Sequence, residues 1–276
     1  MSSTPQLIHS IAQLRARLAE HDGPVALVPT MGALHRGHLS LVDRAAAQPD
    51  ALVIVSIFVN PLQFGAGEDL DAYPRTLDAD MAALSGTGAD IVFAPSPAEM
   101  YPQGPRTLIH PGPLGTVLEG AARPTHFAGV LTVVAKLFAI TGATDAYFGE
   151  KDYQQLVLIR QLVADLNLPV RIHGCPIVRE EDGVALSSRN RYLSAEQRTL
   201  ARTLSAALAA GCAAGHTRAE EAAQEVCARH PEVVVDYITL TDPTLGPAPA
   251  SGPARLLIAA RVGTTRLLDN AALADS

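Results

Sequence analysis

Across the first two-thirds of the chain, short runs of β-branched apolar residues alternate with segments whose apolar residues recur at helical spacing. Strands buried on both faces read as continuous apolar runs, whereas crossover helices keep one apolar stripe, so this alternation marks a parallel sheet covered by helices. The fold class it predicts is α/β, a Rossmann-like parallel sheet domain. Residues 6–20 place Ile8, Ile11, Leu14 and Leu18 at helical spacing, 25–28 read as a strand, and 37–48 read as a helix opened by Gly37. The stretch 51–59 is a second, fully buried strand. Helices are expected over 77–85, 127–140 and 153–166, with strands at 91–94 and 146–148. The polar stretch 60–74 is too long for an ordinary connection, and loops of that kind often serve as binding lids.

After about Val178 the pattern changes. A helix is expected over 194–214, with Ser194 as its cap and Glu196 in its first turn, and another over 218–229; strands follow at 233–240 and 255–262. This predicts a smaller α+β domain over 178–276 after a Rossmann-like domain over 1–177, with 176–182 as a hinge and 243–253 as a turn-rich connection. A length of 276 residues accommodates two unequal domains.

Charge narrows the partners. With 28 acidic against 21 basic side chains the formal charge is -7, and no run of five basic residues occurs, which argues against a nucleic-acid backbone as partner. The longest apolar runs fall short of the roughly 18 residues a membrane helix needs, and the N-terminus lacks the marks of a secretory signal. Cys175, Cys212 and Cys227 show no C-x-x-C spacing, which fits reduced thiols in a cytoplasmic protein. The basic residues are 19 Arg and only two Lys, Lys136 and Lys151, so a lysine here is not routine surface filler.

After the first long strand comes Pro-Thr-Met31-Gly32-Ala33-Leu34-His35-Arg36-Gly37-His38. Free backbone N–H groups and the positive end of a helix dipole favour anions there, and the glycines let a phosphate approach the backbone. The spacing is neither a P-loop nor Gly-x-Gly-x-x-Gly; imidazoles stand in for the lysine. Three residues apart, His35 and His38 share a helix face and could donate to one oxyanion or bind one metal ion. A zinc site needs a third ligand, and no H-E-x-x-H occurs.

Gly149-Glu150-Lys151-Asp152 follows another strand, and the Lys151 ammonium is a mobile point charge suited to phosphate. Lys136, between Ala135 and Leu137, reads as a snorkelling helix residue. Leu186-Ser187-Ser188-Arg189 offers two hydroxyls and a guanidinium in a loop that could fold over a triphosphate. The neutral amides of Gln63 and Gln155 both donate and accept, which suits a hydroxylated substrate better than a phosphate.

Six stretches occur in one order: PTMGALHRGH at 29–38, SIFVNPLQF at 56–64, YPRT at 73–76, RPTHFAGV at 123–130, YFGEKDYQQL at 147–156 and LSSRNRYLS at 186–194. Together they resemble the pantothenate synthetase (pantoate–β-alanine ligase) family. The two-histidine element and the Ser-Ser-Arg loop are also similar to the signature pair of the nucleotidyltransferase and class I aminoacyl-tRNA synthetase superfamily. The resemblance implies an amide-forming ligase whose substrates are ATP, with Mg2+, pantoate and β-alanine. Pantoate would attack the α-phosphate to give a pantoyl adenylate, from which the β-alanine amine expels AMP. It places Met31, Gly32, Ala33, Leu34, His35, Arg36, Gly37, His38, Gly149, Glu150, Lys151, Asp152, Val178, Leu186, Ser187, Ser188 and Arg189 at the ATP site. His38, His35, Lys151 and Arg189 would be the catalytic groups. Gln63 and Gln155 would hold pantoate, with Asn60, Tyr73, Arg123 and His126 as further substrate-site candidates.

Magnesium would be held mainly by phosphates and water, with Asp80 as an outer-shell candidate. Leu186 stands where the family usually has Met, and the superfamily's loop lysines are absent. The resemblance also implies a homodimer; because water would destroy an adenylate, the site is expected to close, with the 60–74 loop and the C-terminal domain as the candidates to cover ATP. The rival readings are a nucleotidyltransferase that adenylylates a phosphorylated cofactor precursor, a non-catalytic nucleotide sensor and a metallohydrolase. Gln63 and Gln155, with no basic pocket evident for a second phosphate, argue against the first.

Overall fold

The computed structural model describes residues 4–65, 67–68 and 70–273. The chain divides into two compact units: one runs to Glu150 and takes in Leu158–Cys175, and the other comprises Lys151–Val157 and the chain from Pro176 onward. The second unit thus takes in Lys151–Val157, the start of the helix after the fifth strand, and resumes at Pro176, two residues before the expected boundary at 177/178.

In the first unit six strands form one parallel sheet: β1 (Gln6–Ile8), β2 (Val25–Thr30), β3 (Leu52–Ile57), β4 (Ile91–Phe93), β5 (Asp145–Gly149) and β6 (Arg171–Cys175), in the order β1-β4-β3-β2-β5-β6. The intervening helices are α1 (Ile11–Leu18), α2 (Arg36–Ala46), α3 (Leu77–Leu84), α4 (Pro97–Met100), α5 (Glu119–Ala122), α6 (His126–Thr141) and α7 (Tyr153–Asp165). Strand alternation sends Ala26, Val28, Val53, Val55 and Val92 to one face, where Leu41, Val42 and Ala45 of α2 and Leu84 of α3 close the core. Leu27, Ile54 and Ile91 turn to the opposite face and are fully buried. Each such side chain contributes roughly 1.5–3 kcal/mol through the area it removes from water.

The order reverses at β2, which pairs with β3 on one side and β5 on the other. At such a switch point the chain leaves the carboxyl ends of neighbouring strands in opposite directions and opens a crevice for ligands.

The expected helix over 6–20 is corrected. Gln6–Ile8 is a short strand paired in parallel with β4, and the helix begins only after Ser10, whose Oγ accepts from the Gln13 N–H at 3.2 Å. A three-residue strand is too short to show a period of its own, so Ile8 falls into the helical count by accident. Helix α2 begins at Arg36, with His35 rather than Gly37 marking its start.

In the second unit β7 (Val233–Thr241), β8 (Ala254–Val262) and β9 (Thr265–Leu273) form an antiparallel sheet in that order, packed by α8 (Ala195–Ala214) and α9 (Ala219–Ala228). Leu204, Leu208, Ala219, Ala223 and Cys227 meet Leu240, Leu256, Ile258 and Val262 in one core. Ser194 caps α8 reciprocally with Gln197, while Glu196 accepts from the Ser194 hydroxyl. Residues expected as a hinge enter a short turn: Arg179 bridges Ala185, and the Val178 carbonyl accepts from Leu186. The three cysteines are free thiols, and no helix among the described residues is long and apolar enough to cross a membrane.

Candidate active site

Strand β2 is one of the two central strands of the first sheet, and the segment 31–38 follows it directly at the carboxyl edge. Gly32 takes a φ of 81°, and a Cβ there would lie 2.9 Å from Asp80 Oδ2 and 3.1 Å from Ile57 Cγ2, so both backbone and space demand glycine. Ala33 is also left-handed, at φ 52°. Asp80, on α3 and 2% exposed, holds this shape: its Oδ2 accepts the Ala33 N–H at 3.1 Å and its Oδ1 the Leu34 N–H at 2.8 Å, with the Thr76 hydroxyl donating to Oδ2. Asp80, considered above as an outer-shell magnesium group, thus has a structural task of its own in shaping the loop.

His35 is the N-cap of α2. Its Nδ1 accepts the Gly37 N–H at 3.2 Å, and Nδ1 of His38 accepts the His35 N–H at 3.4 Å, forming a capping box built from imidazoles. The rings stack with centroids 4.0 Å apart. Backbone N–H groups can only donate, so each Nδ1 is an acceptor and the proton of each neutral ring sits on Nε2. The loop thus ends in two imidazole N–H donors beside the helix N-terminus. No group of three or more His, Cys, Asp or Glu that could hold a metal ion occurs among the described residues, so the donor set suits an anion better than zinc.

Gln63 closes a 3-10 turn, Pro61–Gln63, capped by Asn60. Gln63 is buried, with Nε2 donating to Met31 Sδ at 3.0 Å and Oε1 accepting from Asn60 Nδ2 at 3.3 Å. Met31 and Gln63, assigned to different substrates by resemblance, are therefore neighbours. The turn seats on α6 at Gly129, where any Cβ would overlap the Leu62 carbonyl and the Gln63 nitrogen. His126 Nδ1 and Arg123 Nη2 both donate to the Gln63 carbonyl, at 3.0 and 3.2 Å, and the Arg123 guanidinium forks onto Glu68. That ion pair, opposed by burial, holds the Glu68 carboxyl below the usual carboxylate range. Arg123 and His126 thus brace Gln63, and Arg123 also Glu68. Tyr73 is buried and meets Phe64 edge-on.

Gly149 ends β5, beside β2, and a 3-10 turn of Glu150–Asp152 follows. In the second unit Lys151, Ser187, Arg189, Asn190 and Asp269 line one pocket. The Lys151 side chain is 20% exposed, with Nζ 3.2 Å from Asp152 Oδ1. Ser187 caps the following 3-10 turn, accepting the Arg189 N–H at 3.3 Å; Ser188 opens that turn, and Leu186 is buried. Gln155 lies half-buried on α7. Lys136 does not simply extend to solvent; its Nζ lies 5.8 Å from the Tyr101 ring centroid.

Strand β9, which the sequence pattern does not reveal, ties this pocket together. Strand alternation puts Asp269 and Asn270 on opposite faces. Asp269 receives a two-pronged contact from Arg179 at 2.6 and 2.9 Å, fixing the turn before the Ser-Ser-Arg segment. Asn270 donates to the Lys151 carbonyl at 3.0 Å and accepts from Arg255 Nε at 2.7 Å, while the Arg255 guanidinium stacks 4.0 Å over Tyr153. None of these braces carries a local sequence signal.

A family model described as Pantoate-beta-alanine ligase matches residues 6–272. The pantothenate synthetase of Corynebacterium jeikeium (strain K411) is 61% identical over 266 residues, which cover 95% of this chain and 87% of that protein. A crystal structure of pantothenate synthetase from Thermus thermophilus matches with a TM-score of 0.91 at 48% identity, over 98% of this chain and 99% of the other. The pantoate-beta-alanine ligase of Francisella tularensis, crystallised with beta-gamma ATP and beta-alanine, matches with a TM-score of 0.82 at 35% identity over 97% of each chain. The expectation drawn from the six motifs therefore holds, and the chain belongs to the pantoate-beta-alanine ligase family.

Proposed function

We propose that this ligase joins pantoate to β-alanine in two steps through a pantoyl adenylate. In the first, a pantoate carboxylate oxygen attacks the α-phosphorus of Mg-ATP; the new P–O bond forms as the bond to pyrophosphate breaks. In the second, the β-alanine amine attacks the acyl carbon, the C–N bond forms, and AMP leaves with the carboxylate oxygen. A carboxylate is already nucleophilic, so the first step needs orientation and charge stabilisation rather than a general base.

The observation that carries this reading is the braced 31–38 loop. It combines left-handed backbone at Gly32 and Ala33, a helix N-terminus and two Nε2–H donors, all directly after β2. His38 and His35 would donate to the phosphate as charge develops on it, with Lys151 and Arg189 supplying cationic charge. Gly149 to Asp152, Val178 and the 186–189 segment complete the nucleotide site in this reading. Gln63 and Gln155 would bind the pantoate hydroxyls and carboxylate, and Arg123 and His126 would act by holding the Gln63 turn. Magnesium arrives with ATP, held by phosphate oxygens and water. A homodimer in the cytoplasm, with the second unit closing over ATP to keep water from the adenylate, completes the proposal.

The test follows isotope exchange between pyrophosphate and ATP in the purified enzyme without β-alanine. Exchange should appear only when pantoate is present, and adding β-alanine should then yield pantothenate, AMP and pyrophosphate. Exchange without pantoate, or a dinucleotide product, overturns the scheme.

A further inference from the structure

Tyr101, at the end of α4, belongs to none of the motifs that mark the active site, yet its hydroxyl donates to Asn60 Oδ1 at 3.0 Å. The same oxygen accepts the Leu62 backbone N–H at 3.3 Å. A backbone N–H can only donate, so the Asn60 amide has one orientation, with Oδ1 toward Tyr101 and Leu62. Its Nδ2 must then donate, and it does so to the Gly129 carbonyl at 3.1 Å and to Gln63 Oε1 at 3.3 Å. Gln63 is fixed in turn: its oxygen is taken by Asn60, and its Nε2 faces Met31 Sδ, a weak acceptor that a substrate oxygen outcompetes.

We propose that Tyr101 is a positioning residue for pantoate: its hydroxyl anchors the Asn60 amide, whose orientation Leu62 and Gly129 fix, so that Gln63 is held with an N–H donor toward the substrate. The inference rests on the reading of Gln63 as a pantoate-binding group. Without the hydroxyl the Asn60 oxygen keeps only Leu62, the side chain is held less firmly, and Gln63 loses the fixed partner that keeps its N–H toward the substrate. The ring is held independently, by Phe58 at a centroid distance of 6.1 Å and by Lys136. Burial also pushes the phenol pKa up to about 12, so the group remains a donor under ordinary assay conditions.

The experiment is a cycle of Tyr101→Phe, Gln63→Ala and the double variant, with KM for each substrate, kcat and the thermal midpoint measured on the full chain. Tyr101→Phe should raise KM for pantoate about tenfold, the scale of one lost hydrogen bond, while KM for ATP stays within about twofold. The double variant should be no worse for pantoate than Gln63→Ala, because the hydroxyl acts through that side chain. A shift of all three KM values and the thermal midpoint together would make the hydroxyl a general structural group and overturn the positioning role. If Gln63→Ala leaves pantoate KM unchanged, the substrate assignment fails and the inference with it. If Gln63→Ala impairs pantoate use but Tyr101→Phe does not, or if the two effects add, the assignment stands and the positioning role is overturned.

Discussion

His38 accepts the backbone N–H of His35 through Nδ1 at 3.4 Å, so one nitrogen of the ring serves the helix and the other carries the proton that the proposed chemistry would use. The two jobs can be separated by substitution. In His38→Asn the amide oxygen occupies the place of Nδ1 and preserves the cap, but nothing replaces Nε2–H. In His38→Gln the longer amide reaches toward the Nε2 position and loses the cap. Single-turnover adenylate formation should fall about 100-fold or more in His38→Asn, the usual cost of one preorganised donor, with an unchanged thermal midpoint. His38→Gln should retain more activity at a lower midpoint. The reverse ranking would assign His38 to the fold alone.

The left-handed Ala33 offers a second test, because an L side chain at φ 52° persists only where its surroundings impose it. Asp80 imposes it with both oxygens. In Asp80→Asn an amide nitrogen would face one of two backbone N–H groups, so one of those bonds is lost and the loop relaxes. Affinity for a non-hydrolysable ATP analogue, measured by titration calorimetry, should weaken about tenfold, the range expected for a hydrogen bond to a charged acceptor. An unchanged Kd would mean that the loop keeps its shape without the carboxylate.

These two cases show where the sequence is legible and where it is not. The histidine pair and the strands β2 and β3 are visible because their signals are local: a three-residue spacing at a Gly-flanked position and uninterrupted apolar runs, whereas Gln63 stands out only through the resemblance of its whole motif. Asp80 reaches a loop 46 residues earlier, and Tyr101 reaches Asn60 across 41, so neither leaves a periodic trace. Strand β9 escapes detection for a related reason. Its Asp269 and Asn270 interrupt the apolar pattern, and their burial makes sense only once Arg179 and Arg255 are seen to meet them. Strand β6 is similarly hidden, since Arg171 and His173 point at Asp145 rather than into an apolar core.

Asp145 supplies the remaining prediction, because it begins β5 at the edge of the sheet opposite Gly149 and so separates stability from activity. The side chain is 1% exposed. Burial by itself would raise its pKa, but hydrogen bonds from Arg171, His173, Gln48 and Thr144 outweigh it and hold the carboxyl well below the usual range. A depressed pKa means that the folded state binds its proton later than the unfolded chain does. The associated stability is therefore complete above the unfolded value of about 4 and drains away as acidification proceeds toward the folded value. Asp145→Asn should lower unfolding free energy at pH 7 by about 1–2 kcal/mol, since it leaves buried donors imperfectly met. Urea denaturation of both proteins from pH 7 to pH 3 should show that difference constant down to about pH 4 and shrinking below it, with kcat unchanged at neutral pH. A gap that stays constant through the acid range would mean that the Asp145 charge contributes nothing and that only the shape of the side chain matters.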